Sequence, residues 1–398
     1  MARAYPLQSV TVVDLGQIYN GSYATFLMAM AGARVIKIEP REGEHLRRRG
    51  NVGGAGLPFA MLNSNKQSVT LNLKSERGRE LFFEMVKRAD VVLENFAPGT
   101  MERLGCGWSK LGLVNSRLIY AQGSGYGLSG PYRDYPAMDL TVQAMAGVMS
   151  VTGYPDRPPV KAGPAICDFF GGVHLFGAVM AALYEREQTG TGRAVDVSML
   201  EAVYASLSSN LGLYYGTGGD VPMRTGNRHG GLAESPYNVY PTQDGYIAII
   251  CVGETHWKSL IDAMGRPELA DDPRFASLKT RVANIDAVDE IVGGFTQRFA
   301  KQALFELLLK HRVPCAPVRD LDEVVNDPHM LERRALQWIE HPELGRIPVQ
   351  SSPLRFEGVD PLPIVPSRRL GEDNVAVYGD WLGLSRDAIA TLEEQEVI

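Results

Sequence analysis

Apolar residues recur along the first half of this chain in short β-branched runs separated by longer, helix-spaced stretches. Val10 to Leu15 (VTVVDL), Arg34 to Glu39 (RVIKIE), Ser68 to Leu73, Asp90 to Glu94 (DVVLE), Leu118 to Ala121 and Ala194 to Ser198 read as strands. Between them lie helical patterns at Tyr23 to Met30, Ser75 to Arg88, a short piece at Met101, Met138 to Met149, Val173 to Glu187 and Met199 to Tyr215. Alternation of this kind predicts a doubly wound α/β domain with a parallel sheet and right-handed connections. The run Val173 to Glu187 has almost no polar residue until its end, so it is expected to be a buried helix with Asp168 in its first turn.

From Gly216 the texture changes. A long linker carries a glycine-rich tract from Gly226 to Gly231, and loops of such length in compact proteins are either disordered or lids over a site. Strand patterns at Tyr237 to Tyr240 and Tyr246 to Val252, joined at Gln243-Asp244-Gly245, precede helical patterns at His256 to Met264 and Ala287 to His311. These predict a second, smaller α+β domain. Asp320 to Ile398 reads as Pro-punctuated connection ending in an amphipathic helix, Ser385 to Gln395, with too little apolar sequence for a core of its own. The expected organisation is therefore a large domain over 1–215, a linker and glycine loop over 216–235, a small domain over 236–318, and a return to the large domain over 319–398.

Composition narrows the class. A chain of 398 residues exceeds what one core usually serves, and 45% hydrophobic with 22% charged residues is ordinary for a globular protein. A net charge of −6 argues against a nucleic-acid or membrane-surface binder. The four cysteines, Cys106, Cys167, Cys251 and Cys315, form no C-x-x-C pair, so neither a zinc site nor a disulfide framework is expected and a cytoplasmic setting fits. The N-terminus has no apolar signal core, and no run reaches the ~18 apolar residues of a membrane span.

Candidate chemistry collects at strand ends. Asp168 lies in KAGPAICDFFGG, where it reads either as a helix cap or as a catalytic carboxylate; Gly163, Pro164, Gly171 and Gly172 leave room for a ligand beside it. The first loop, GQIYNGS, lacks the G-x-G-x-x-G fingerprint, yet it places Gln17, Ile18, Tyr19 and Asn20 at the carboxyl edge of a first parallel strand, as a plain turn or a binding loop. Asn95, Phe96, Pro98 and Gly99 form a second loop of this kind, and the glycine-rich stretch from Gly123 is either a connection or an anion-holding turn. Arg47, Arg48 and Arg49, in a loop expected from Gly43 to Gly56, are a solvated face or an oxyanion clamp. Asp139 is the sole charge in its helix and must be paired, capping or functional.

Five segments taken together, VxDLxxxxxG, GARVIKIEP, NKQSVTLNLK, DVVLENFAPGTMERLG and CDFFGG, resemble the class III CoA-transferases, a group that includes formyl-CoA and carnitine CoA-transferases and related acyl-CoA racemases. The resemblance spans nearly the whole chain. It implies a Rossmann-like large domain with a smaller domain inserted, and a homodimer of interlocked subunits. It makes Asp168 the nucleophile that passes through an anhydride and an aspartyl-CoA thioester, with acyl-CoA, such as succinyl-CoA, and a small carboxylic acid as substrates and no metal or redox cofactor. It places coenzyme A against Ile18, Tyr19, Asn20, Leu71, Asn95, Phe96, Arg103 and Met138, has Asp139 orient substrate, and makes Gly226, Gly230 and Gly231 a mobile loop that shields the anhydride. Arg47 to Arg49, Arg224, Arg228 and His229 would hold a second carboxylate of the acceptor, or are simply solvated. Pro40 stands where a basic residue follows the VIKIE strand in formyl-CoA transferase, leaving Arg41 as the nearest substitute. The alternatives are an acyl-CoA racemase, opposed by Met138 where racemases carry His, and an inactive CoA-binding relative.

Overall fold

The computed structural model describes residues 4–49 and 56–398 and divides into two compact units, one of Met1–Val142, Pro164–Val203 and Val325–Ile398, the other of Gln143–Gly163 and Tyr204–Val324. The first unit is built on six parallel strands: β1 (Thr11–Asp14), β2 (Arg34–Glu39), β3 (Gln67–Thr70), β4 (Val91–Glu94), β5 (Ile119–Ser124) and β6 (Ala194–Ser198), in the order β3-β2-β1-β4-β5-β6. The chain therefore reverses its direction of travel across the sheet between β1 and β4, the crevice where open parallel sheets hold ligands.

Successive strand residues point to opposite faces, and both faces are covered. Val13, Ile36, Val69, Val92 and Tyr120 face one core, shared with Leu81 and Phe82 of the helix Glu76–Val86 and with Val377, Tyr378, Ile389 and Leu392 near the C-terminus. Val12, Val35, Val91 and Ile119 face the other, against Ala24 and Met28 of α1 (Asn20–Met30) and Leu175 and Val179 of the helix Ile166–Thr189.

Several sequence expectations need correction. The Arg-rich loop contains a one-turn helix, α2 (His45–Arg48), capped by the Glu44 side chain, and α3 (Gly56–Asn63) follows it; residues 50–55 of that loop lie outside the described residues. Helices α4 (Glu76–Val86), α5 (Thr100–Arg103) and α6 (Trp108–Val114) come next. Strand β5 runs on through Gly123 and Ser124, because β6 supplies partners for both at Val197 and Ser198. The expected helix at Met138 to Met149 is two, α7 (Asp139–Met145) and α8 (Val148–Val151), broken at Gly147 with φ 87°. Helix α9 (Ile166–Thr189) is longer than expected and not wholly buried: Phe170, Val173 and Tyr184 are exposed. By length and composition α9 could cross a membrane, yet its other face packs on the sheet. The C-terminal stretch, expected as Pro-punctuated connection, also holds a hairpin of β10 (Leu336–His341) and β11 (Gly345–Gln350), with Pro348 inside the second strand.

The second unit carries an antiparallel sheet of β7 (Tyr237–Pro241), β8 (Tyr246–Ile250) and β9 (Cys315–Pro317). Trp257, Leu260, Val288, Val292, Leu304 and Leu308 pack on Ile247 and Ile249 as its core. The run expected as one helix from Ala287 to His311 is split into Ile285–Thr296 and Lys301–Lys310.

Candidate active site

Asp168 is the third residue of α9, and of its two readings the cap falls away, because another group caps this helix end. The Oδ1 atom of Asp139 accepts the backbone N–H of Cys167 at 2.9 Å and that of Asp168 at 3.4 Å. No described residue donates a hydrogen bond to the Asp168 carboxylate. Burial, and after it the charge of Asp139, pushes its pKa up to about 7, overcoming the helix N-terminus, which favours the anion. The neighbouring Cys167 thiol is pushed up to about 12 by burial, then by the same two carboxylates, so it stays protonated.

Asp168 opens onto a cavity of about 580 Å³ at the carboxyl ends of β1, β4 and β5, lined also by Gln17, Ile18, Asn20, Asn95, Phe96, Arg103 and Met138. Most residues that the resemblance ties to coenzyme A thus meet here. Tyr19 is instead stacked on Phe169, with centroids 5.8 Å apart. Leu71 lies in a second cavity of about 390 Å³ with Pro40, Arg41, Asn72 and Lys74, and Gln17 and Phe96 line both. Arg41, which extends from its rim, pairs with Glu396 at 2.9 Å.

The loops between are fixed by contacts that local sequence patterns do not reveal. The Asn95 carboxamide brackets Gln17, accepting its N–H at 2.7 Å and donating to its carbonyl at 3.0 Å. Glu94 anchors the same loop by accepting the N–H of Phe96 at 2.6 Å and the amide of Gln122 at 2.8 Å. Beneath the first loop, Lys66 is fully buried and donates to Asp14 at 3.0 Å, to Thr25, to Asn63 and to the Ser22 carbonyl, while Lys37 donates to the carbonyl of Gly16 at 2.7 Å. Ile18 takes φ 58° at the crest of this loop.

Arg103 has a second guanidinium for company. A Cβ on Gly99, at φ 79°, would lie 3.2 Å from Nη1 of Arg103 and 3.8 Å from Nη2 of Arg133, and Arg133 lines the same cavity. Two cations converging on bare backbone are suited to a polyanion. Arg133 carried no signal in the sequence.

Other predicted binding arginines are already engaged. Arg47 makes a two-pronged contact with buried Glu39, at 2.8 and 2.9 Å, and its guanidinium lies over the Phe59 ring. In the second unit Arg228 donates to Asp289 at 2.8 Å and to Asp286 at 2.6 Å, and Arg224 donates to the carbonyls of Tyr154 and Arg157, each at 3.1 Å. His229 accepts the N–H of Gly231 at 3.2 Å, and Gly230 accepts from Asn210 at 3.4 Å. Gly226, at φ 64°, leaves space that Tyr154 would otherwise contest. The glycine tract is thus tied to its own unit by side-chain contacts.

The family model for CoA-transferase family III matches residues 7–374. An acetyl-CoA:oxalate CoA-transferase of Acetobacter aceti is 40% identical over 358 residues, 89% of this chain and 90% of that protein. A succinyl-CoA–D-citramalate CoA-transferase of Chloroflexus aurantiacus is 35% identical over 99% of this chain and 98% of its own. Among solved structures, a CaiB/BaiF family protein from Brucella suis superposes with a TM-score of 0.82 at 32% identity, covering 95% of this chain and all of that one.

Proposed function

The chain belongs to CoA-transferase family III, and from that premise we propose that it moves CoA from an acyl-CoA donor to a small carboxylic acid by covalent catalysis at Asp168. The observation that carries this reading is a carboxylate with no hydrogen-bonded partner among the described residues, its pKa pushed up to about 7, opening onto a cavity at the sheet's switch point. A partly desolvated carboxylate unencumbered by donors is a better nucleophile than a paired one.

An Asp168 oxygen adds to the thioester carbonyl and the C–S bond breaks, giving a mixed anhydride and CoA thiolate. The thiolate adds to the aspartyl carbonyl and expels the donor acid, leaving an aspartyl-CoA thioester. An acceptor carboxylate adds to that thioester, the thiolate departs again, and its attack on the acceptor's acyl carbon returns the Asp168 carboxylate. Each step forms one bond and breaks one, so no net proton or electron is required. The protonated Cys167 thiol is a poor competitor at this position.

The nucleotide end of CoA is proposed to lie in the second cavity, by Leu71 and Lys74, with Arg103 and Arg133 on the phosphates and the thiol end against Asn95, Phe96 and Met138. The strand order supports the Rossmann-like description of the large unit. The exposed stripe Phe170, Val173, Gly177, Ala181 and Tyr184 on α9 recurs at helical spacing and is proposed to be covered by a second copy of the chain, in a cytoplasmic homodimer. Succinyl-CoA is one candidate donor and a short dicarboxylate one candidate acceptor. Met138 offers no base for proton abstraction, which disfavours a racemase.

The test pairs succinyl-CoA and acetyl-CoA with a panel of carboxylic acids and identifies the product CoA ester by mass spectrometry. Asp168→Ala is expected to abolish transfer while CoA binding stays within about threefold of the parent, since the nucleophile is lost and the groove is not. Retained turnover in that variant rejects the proposal.

A further inference from the structure

Asn20 opens α1, is 1% exposed, and has no hydrogen-bond partner at either Nδ2 or Oδ1 among the described residues. Its carboxamide is tightly held. A Cβ on Gly123 would come within 2.4 Å of Oδ1, and one on Gly171 within 2.2 Å of Nδ2. Two glycines from separate elements, one at the end of β5 and one a turn beyond Asp168 on α9, thus make room for this one side chain. A buried amide without partners is costly and calls for an explanation.

The reaction supplies one. Each addition to a carbonyl builds an oxyanion that needs N–H donors, and the end of α9 has none to spare. The N–H of Ile166 goes to the Pro164 carbonyl, those of Cys167 and Asp168 to Asp139, and that of Phe169 to the Ala165 carbonyl. Asn20 lines the same cavity as Asp168 and holds two uncommitted N–H donors. We propose that the Asn20 carboxamide is the oxyanion donor of this site, its Nδ2 hydrogen-bonding the acyl oxygen as Asp168 adds to the thioester and again at each later addition. This inference rests on Asp168 being the nucleophile and adds a second residue that touches the reacting atoms.

The experiment measures kcat/KM for transfer and the dissociation constant of free CoA, which carries no acyl oxygen, for Asn20→Ala, Asn20→Ser and Asp168→Ala in parallel. Asn20→Ala is expected to lose about 10²- to 10³-fold in kcat/KM with CoA affinity within about threefold of the parent, and Asn20→Ser, which keeps an O–H donor, to recover part of the loss. A kcat/KM within about threefold of the parent for Asn20→Ala, or a loss matched by an equal weakening of CoA binding, would overturn the inference. Should Asn20→Ala fail to fold by circular dichroism, the near-isosteric and uncharged Asn20→Leu, which has no N–H donor, is judged by the same thresholds. Turnover by Asp168→Ala would sink the nucleophile reading itself, whereas an inactive Asp168→Ala beside a fully active Asn20→Ala sinks only the role given to Asn20.

Discussion

Asp139 and Asp168 share one helix end: the carboxylate of the first accepts the backbone N–H of the second at 3.4 Å, and its charge, after burial, raises the second's pKa. One acid satisfies the helix end, and the other is left without a hydrogen-bond donor among the described residues. The same arrangement sets how the protein answers to pH.

If Asp168 is the nucleophile proposed above it must be ionised to react, and kcat/KM should climb with pH along a limb centred near 7. Replacing Asp139 by Asn removes the nearby charge and should slide that limb to lower pH, though burial, the larger cause, keeps it above the ordinary 3.8. Rate profiles from about pH 5 to 9 check both; a limb that does not respond to Asp139→Asn would exclude the charge coupling.

Stability should move the opposite way. Between 3.8 and about 7 the folded protein holds the Asp168 proton more tightly than the unfolded chain, so folding weakens as pH rises through that window and stays weakened above it. Asp168→Asn should therefore raise Tm at about pH 8 and change it little near pH 4, as read by thermal melts. An equal shift at both values would assign the effect to something other than titration.

Lys66 is a stability residue for the first loop. Its ammonium is buried with Asp14, each side chain at most 1% exposed, and burial depresses its pKa to about 8 despite Asp14. Lys66→Ala leaves Asp14 with the more distant Lys37 and should cost about 3–5 kcal/mol in urea unfolding. A loss below ~1 kcal/mol would mean that the neighbourhood re-pairs or floods.

Arg103 and Arg133 should act together on the phosphates. Either Ala variant is expected to weaken CoA binding by about ten- to a hundredfold, the worth of a charge-assisted hydrogen bond, with a shallower dependence on salt. Calorimetric titration at two ionic strengths decides it. An Arg133→Ala protein that binds CoA as the parent does would leave Arg103 as the sole phosphate contact of the two.

What could be read from the chain follows the range of the interactions involved. Strand β2 matches its sequence pattern from Arg34 to Glu39, and Ser75 and Ser385 cap the helices they were expected to open, because alternation and capping are settled within a few residues. Asp168 could be placed at a helix start, but the group that caps that helix sits 29 residues earlier. The Asn95–Gln17 bracket spans 78 residues and the Asp14–Lys66 pair 52, distances over which hydrophobic periodicity carries no information. Arg47 and Arg228 looked like candidates for an acid because nothing local discloses Glu39 or Asp289 as their partners.

Gln17 and Phe96 wall both chambers of the groove, and Asn95 clamps the first of them in place. With CoA lying along both chambers as proposed, an attempt to retune cargo preference at that shared partition would loosen the grip on the carrier as well. Redesign toward another acid should begin at Tyr126 and Tyr135, which border the chamber that contains Asp168 and not the second one.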